Sequence, residues 1–287
     1  MAGLHLTLLL HGAAPLTWTG FSVHWSTVIG CVALAGWYEW NARAAARNPA
    51  SGGAPTQGQR ARFIAGLVIM LLSLNGPLHD LSDTFLFSAH MVQHLVLTLI
   101  VPPLLIAGTP ASFFRRALRA PAVARVARVI SRPVFCFAAF NLVIAGWHVP
   151  ALYNLALANH PVHIVEHLMF LVAAVLMWWP LLSPLPELPR LSYPLQMLYC
   201  FLMTIPMSIV AVYITYADSV LYPLYASAPR IWQLSPMQDQ LIGGLIMWIP
   251  GGLFFAGVMA VVFFKWSAAD SDTVAGAQPG MHPAPSR

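Results

Sequence analysis

Long apolar runs alternate with short polar ones along most of this chain. Seven of the runs read as membrane-crossing helices, at residues 23–40, 62–75, 84–107, 133–147, 162–182, 195–216 and 241–264. The longer ones match the roughly 20 residues that a hydrocarbon core requires. The first is bracketed by His24–Trp25 and by Trp37 and Trp40, aromatic ends suited to two interfaces. Gly76 and Pro77 stop the second, and Ser82 ahead of Asp83 and Thr84 reads as the start of the third. Pro102 and Pro103, in the last third of that helix, predict a bend or break. Trp178 and Trp179 read as an interfacial pair, and Pro180, Pro184, Pro186 and Pro189 exclude helix beyond them. Gly243, Gly244, Gly251, Gly252 and Gly257 permit close packing of the last helix and allow a kink around Pro250 and Gly251. The pattern predicts an all-α, polytopic membrane protein. Its transmembrane domain covers residues 1–266, and a disordered cytoplasmic tail covers 267–287.

Composition agrees. Of 287 residues, 59% are hydrophobic and only 8% charged, where a soluble domain carries about 25% charge. The net charge of +5 does not indicate a nucleic-acid partner, because the basic residues sit between the spans. Arg115, Arg116, Arg119, Arg125, Arg128 and Arg132 punctuate an amphipathic stretch suited to an anionic membrane face. Cys31, Cys136 and Cys200 are scattered and read as buried structural residues. The first residues carry no Lys or Arg, so a cleaved leader is not expected.

Seven spans place the termini on opposite sides. The loops 41–61, 108–132 and 183–194 and the C-terminus then share one side and, with Arg62 at the edge of the second span, hold 13 of the 14 basic residues, all but Arg230. The positive-inside rule makes that side cytoplasmic and puts the N-terminus outside. Ten of the 11 histidines, all but His282, fall on the outer side with Asp80, Asp83, Glu166, Asp218 and Asp239.

Candidate chemistry follows from that segregation. His90 and His94 are four apart, so a helix presents both on one face. His163 and His167 repeat the spacing in the fifth span, with Glu166 between them. With His79, His148 and Asp83 nearby, these residues could complete a metal site of the kind built between facing helices. Glu166 and Asp83 would be ligands or would orient them. Asp80, Asp239 and Gln240 are candidate supporting residues, the last two able equally to cap the seventh helix. Imidazole with carboxylate suits Cu(II), iron or zinc, while Cu(I) prefers softer donors such as Met91, Met203, Met207 and Met237. The bland reading is that the histidines only hydrogen-bond between helices. No P-loop, dinucleotide fingerprint, HExxH or nucleophile triad is present. The seventh span carries no lysine in its apolar body, which argues against a retinal Schiff base.

Three segments carry a resemblance. PLHDLSDTFLFSAHMVQHLVLTLIVPPLLIAGTP at 77–110, WHVPALYNLALANHPVHIVEHLMFLVAAVLMWWPLL at 147–182 and SPMQDQLIGGLIMWIPGG at 235–252 are similar to the multi-spanning CtaG-type cytochrome c oxidase assembly proteins. The resemblance implies a seven-spanning inner-membrane protein with an extracytoplasmic site that assists metallation of a haem–copper oxidase. It implies copper, oxidase subunits and a copper donor or chaperone as partners within the lipid bilayer; ligand exchange needs no covalent catalysis, so an enzyme is not the leading expectation. The residues it points to are His79, His90, His94, His148, His163 and His167, beside Asp83, Glu166 and Asp239. A membrane oxidoreductase holding iron, copper or haem, an ion transporter, and a structural chaperone without metal are the alternatives at this point.

Overall fold

The computed structural model describes residues 22–47 and 53–276. The chain is all-α there. Its helices are α1 (Trp25–Arg47), α2 (Gln57–Ser73), α3 (Pro77–Phe85), α4 (Phe87–Gly108), α5 (Ala111–Leu118), α6 (Pro121–Ile130), α7 (Pro133–Trp147), α8 (Pro150–Ala158), α9 (His160–Leu182), α10 (Tyr193–Thr215), α11 (Pro223–Ser227) and α12 (Pro236–Gly276). The protein is a multi-pass membrane protein. Four helices, α4, α9, α10 and α12, are long and apolar enough to cross a bilayer. Two bent pairs, α2 with α3 (44°) and α6 with α7 (73°), raise the number to six if each is one span. The remaining expected span, α1, is 23 residues long, but Glu39, Asn41 and its tryptophans dilute its hydropathy. Residues 1–21, part of the expected transmembrane domain, and 277–287, part of the expected tail, lie outside the described residues. Helix α12 runs past residue 266 to Gly276.

Local chemistry sets the helix ends. α2 starts five residues before the expected 62 because Thr56 and Gln59 form a capping box. The turn into α3 passes through Gly76 at φ 68°, a left-handed conformation that favours glycine. Asn159 caps α9 by accepting from the Val162 amide at 3.2 Å. Leu81–Phe85 is one π turn, closed by the Leu86 amide on the Leu81 carbonyl at 2.8 Å. That turn corrects the expected start of the third span: Ser82 lies within it, and α4 begins after Leu86.

Helix α4 is central. It packs against α2, α9 and α12, and α12 in turn lies along α10. Large apolar side chains such as Val134, Leu142, Leu168, Ile209 and Leu253 face outward, as a lipid-facing surface requires. Pro102 and Pro103 do not break α4. A second π turn, Val96–Ile100, precedes them. Pro102 has no N–H for the Thr98 carbonyl, and the Trp178 indole supplies one instead at 2.9 Å. Trp178 and Trp179 are both buried within the protein.

Close approach of α12 depends on glycine. A Cβ on Gly243 would strike the Phe87 ring, and one on Gly244 would lie 3.1 Å from the Thr215 amide nitrogen. Gly252 and Gly257 have open space. At the end of the bundle away from the histidines, exposed pairs Arg60–Glu39 (3.2 Å) and Arg115–Glu187 (2.9 Å) link the basic loops.

Candidate metal centre

The histidine pairs on α4 and α9 face one another. Ring centroids are 5.8 Å apart for His90–His163, 6.1 Å for His90–His167 and 5.6 Å for His94–His167. His90 and His94 bring their Nε2 atoms to 2.8 Å, so one of the two carries the shared proton. Two groups gather ligand atoms within 4.8 Å of one another: His90, His94 and His167, and Asp83, His90 and His163. Tetrahedral bonds of about 2.0–2.1 Å would set nitrogen donors roughly 3.4 Å apart, so only small side-chain movements separate either group from an ion.

Several of these groups are buried without a partner. His94 Nδ1, His148 Nε2, His163 Nε2, His167 Nε2 and both Glu166 carboxylate oxygens have no hydrogen bond. Glu166 is 1% exposed, and its nearest imidazole, His163, is 3.8 Å away. An unpaired buried carboxylate is costly. A cation nearby would offset that cost, and the grouped imidazole and Asp83 donors fit a metal ion.

Hydrogen bonds sort the histidines into roles. Gln93, fully buried on α4, donates through Nε2 to the Ser73 carbonyl (2.6 Å) and to His79 Nδ1 (2.9 Å), and accepts from the Ser82 hydroxyl (3.0 Å). With Nδ1 accepting, the neutral ring keeps its proton on Nε2, which points at Asp83 Oδ2 across 3.2 Å. His163 Nδ1 reaches the same oxygen at 3.4 Å. Asp83 thus orients two imidazoles, and His163 keeps Nε2 free, as in carboxylate–histidine–metal arrangements. His148 Nδ1 donates to the Ile144 carbonyl at 2.7 Å, which leaves Nε2 as a bare lone pair. Burial pushes the His148 imidazole down to a pKa of about 4.

The expected supporting residues lie elsewhere. Asp239 accepts from the Phe87 and Ser88 amides (2.7 and 3.1 Å) and the Ser88 hydroxyl (2.5 Å). It caps α4, the helix of His90 and His94, from α12. Gln240 holds the 214–221 turn by accepting from the Leu221 amide at 2.7 Å. Asp80 accepts from the Ser22 hydroxyl at 2.5 Å. None of the three bonds a histidine among the described residues.

Sequence reading missed Gln93, Tyr153 and Tyr225. The Tyr225 hydroxyl donates to the Ser82 carbonyl (2.6 Å), stands 3.2 Å from the Tyr153 hydroxyl and 3.4 Å from His90 Nδ1. Burial pushes the Tyr225 phenol well above its ordinary range. The signal for Gln93 was present, three residues after His90 on the same helical face. That for Tyr225 was not, since it lies on the short helix α11, far along the chain.

The profile of the family described as "Cytochrome c oxidase caa3 assembly factor (Caa3_CtaG)" matches residues 34–269. Among curated relatives, an uncharacterised protein of Mycobacterium bovis is 26% identical over 64% of this chain and 30% of its own length. One of Mycobacterium tuberculosis gives the same figures. One of Mycobacterium leprae is 23% identical over 74% of this chain and 35% of its own. The chain spans about a third of the length of these relatives. No solved structure matches it.

Proposed function

The chain belongs to the cytochrome c oxidase caa3 assembly factor family, and on that premise we propose that it binds copper at the His/carboxylate cluster and assists metallation of a haem–copper oxidase. The observation that carries this reading is the convergence of ligand atoms from His90, His94 and His167, and from Asp83, His90 and His163, with the buried, unpartnered Glu166 carboxylate beside His163. Nitrogen from His90, His94, His163 and His167 would hold the ion, Glu166 would offset its charge, and Asp83 and His79 would orient the rings. Iron or zinc would fit the same donors. Copper is cargo in this reading. Ligand exchange passes it on, and no covalent step is required of the protein.

The proposed topology has seven spans, with α1 as the first. The N-terminus is outside, the C-terminus cytoplasmic, and the cluster extracytoplasmic. The basic loops on the opposite side support that orientation. Partners are the oxidase subunits and a copper donor. The test is metal content by mass spectrometry on detergent-purified protein, wild type beside His90→Ala and His167→Ala, after growth with copper, iron and zinc. Stoichiometric copper lost from both variants is the expected result. Bound iron would transfer the proposal to an oxidoreductase, and equal metal in all three samples would sink the cluster as the site.

A further inference from the structure

A small void lies deeper in the bundle than the two His/Asp groups, between α4, α7, α9, α10 and α12. Its volume is about 20 Å³, and its wall includes His94, His148, Met91, Met207 and Met247. The remaining lining is apolar apart from Thr98, whose hydroxyl is spent on the His94 carbonyl at 2.7 Å. That volume admits one water-sized occupant. An ion there would leave its hydration shell behind.

Two histidines that carry unpartnered nitrogens line this void. His148 and His94 are 4% and 6% exposed, and His148 Nε2 and His94 Nδ1 have no hydrogen bond. The Ile144 carbonyl fixes the His148 lone pair on Nε2. For His94, the shared contact with His90 is made by Nε2. When Nε2 donates there, Nδ1 is a bare lone pair. Met203, by contrast, is engaged by the Asn141 amide at 3.6 Å, and Met237 is 38% exposed. Methionine on an apolar wall is ordinarily packing. Three methionines and two histidines with unpartnered nitrogens around one void supply the donor types of a soft metal site.

We propose that this void is a second metal site, a chamber for a single Cu(I) ion held by His94, His148 and thioether sulfur from Met91, Met207 and Met247. Soft donors select the monovalent ion. So does burial, because a single charge costs less to desolvate than a double one. The imidazole and carboxylate donors nearer Asp83 suit divalent ions. His94 belongs to both, one ring nitrogen to each, so an ion moving between them would change nitrogens on one ring. This inference rests on the metal-binding reading above.

The test is anaerobic Cu(I) titration of detergent-purified protein against a chromophoric Cu(I) chelator, with X-ray absorption on the loaded sample. The proteins are wild type, Met247→Leu, the Met91→Leu/Met207→Leu/Met247→Leu triple variant, and His148→Gln. Leucine keeps the volume, and Met247→Leu serves if the triple variant does not fold. Copper–sulfur scattering is expected in wild type. The methionine variants should lose it in whole or part and bind Cu(I) roughly 10- to 100-fold more weakly. Zinc(II) stoichiometry, carried by His90 and His167, should not change in the methionine variants. Nitrogen-only scattering, or methionine variants that match wild type, would overturn the chamber and leave the His/carboxylate cluster standing; a bound water then fills the void. Wild type that binds neither Cu(I) nor zinc would overturn both.

Discussion

The Trp178 indole on α9 donates to the Thr98 carbonyl on α4 at 2.9 Å. Pro102 sits four residues beyond Thr98 and cannot supply that hydrogen bond from within the helix. One side chain from a neighbouring span therefore completes the backbone of the helix that carries His90 and His94. Trp178→Phe keeps the aromatic bulk and removes the donor. It should destabilise the protein by about 1–3 kcal/mol, the cost of a buried carbonyl left unmade. Thermal unfolding in detergent measures this, and an unchanged midpoint would mean the carbonyl finds another partner.

Gln93 sets the tautomer of His79 and, through it, the position of Asp83. Gln93→Leu should weaken metal binding roughly 10- to 100-fold, as loss of such a supporting contact does elsewhere. A competition titration against a chelator reads it, with circular dichroism as the control for folding.

Asp239 ties α12 to the first turn of α4 through two amides and a hydroxyl. Charged acceptors at a helix start contribute about 1.5–3 kcal/mol. Asp239→Ala should cost at least that much in a denaturant or thermal melt. Asp239→Asn should cost less, because its side-chain oxygen can still accept.

In metal-free protein, acid should weaken the fold through His148. Its imidazole is held at about 4 by burial, below the ordinary 6.5. The unfolded chain therefore takes up the proton first. Stability is complete above pH 6.5, falls as the pH drops toward about 4, and levels off below that. Melts at several pH values should show this slope in wild type and a flatter one in His148→Gln.

Gly244→Ala places a methyl 3.1 Å from the Thr215 amide nitrogen, with the Thr215 hydroxyl closer still. Backbone cannot step aside cheaply, and a destabilisation of about 1–3 kcal/mol is expected. Gly252→Ala, which meets nothing, is the matched control in the same melt.

What the sequence made legible was whatever obeys a fixed period. His90 and His94, and His163 and His167, read as pairs because i and i+4 share a helical face, and α4 and α9 do bring those pairs together. The end of α7 at Trp147 followed from composition, but Pro180 did not stop α9 as expected: the helix runs through it and ends at Leu182, ahead of Pro184. The π turns did not show, since a five-residue turn has no local signature and displaced the start of α4 past Ser82. The buried partners of Trp178 and Tyr225 did not show, because a distant proline or histidine decides them. Met247 was overlooked for the same reason. In one sequence it is an apolar residue among many, and only the packing of α12 sets it on the void that His148 also lines.

The π turn at Val96–Ile100 carries a consequence for insertions and deletions. Each residue of a regular helix advances its neighbours by about 100°, and the turn accommodates one residue more than regular winding would. Above it, His90 and His94 face α9. Below it, Gly108 faces α2, where the Phe63 backbone leaves no room for a Cβ and where its carbonyl receives the Tyr38 hydroxyl at 3.0 Å. Removing a single residue from 96–100 would wind the helix regularly and swing Gly108 away from that seat while the histidines stayed in place. Substitutions in this segment change side chains one at a time, but its length sets the phase between the two halves of α4.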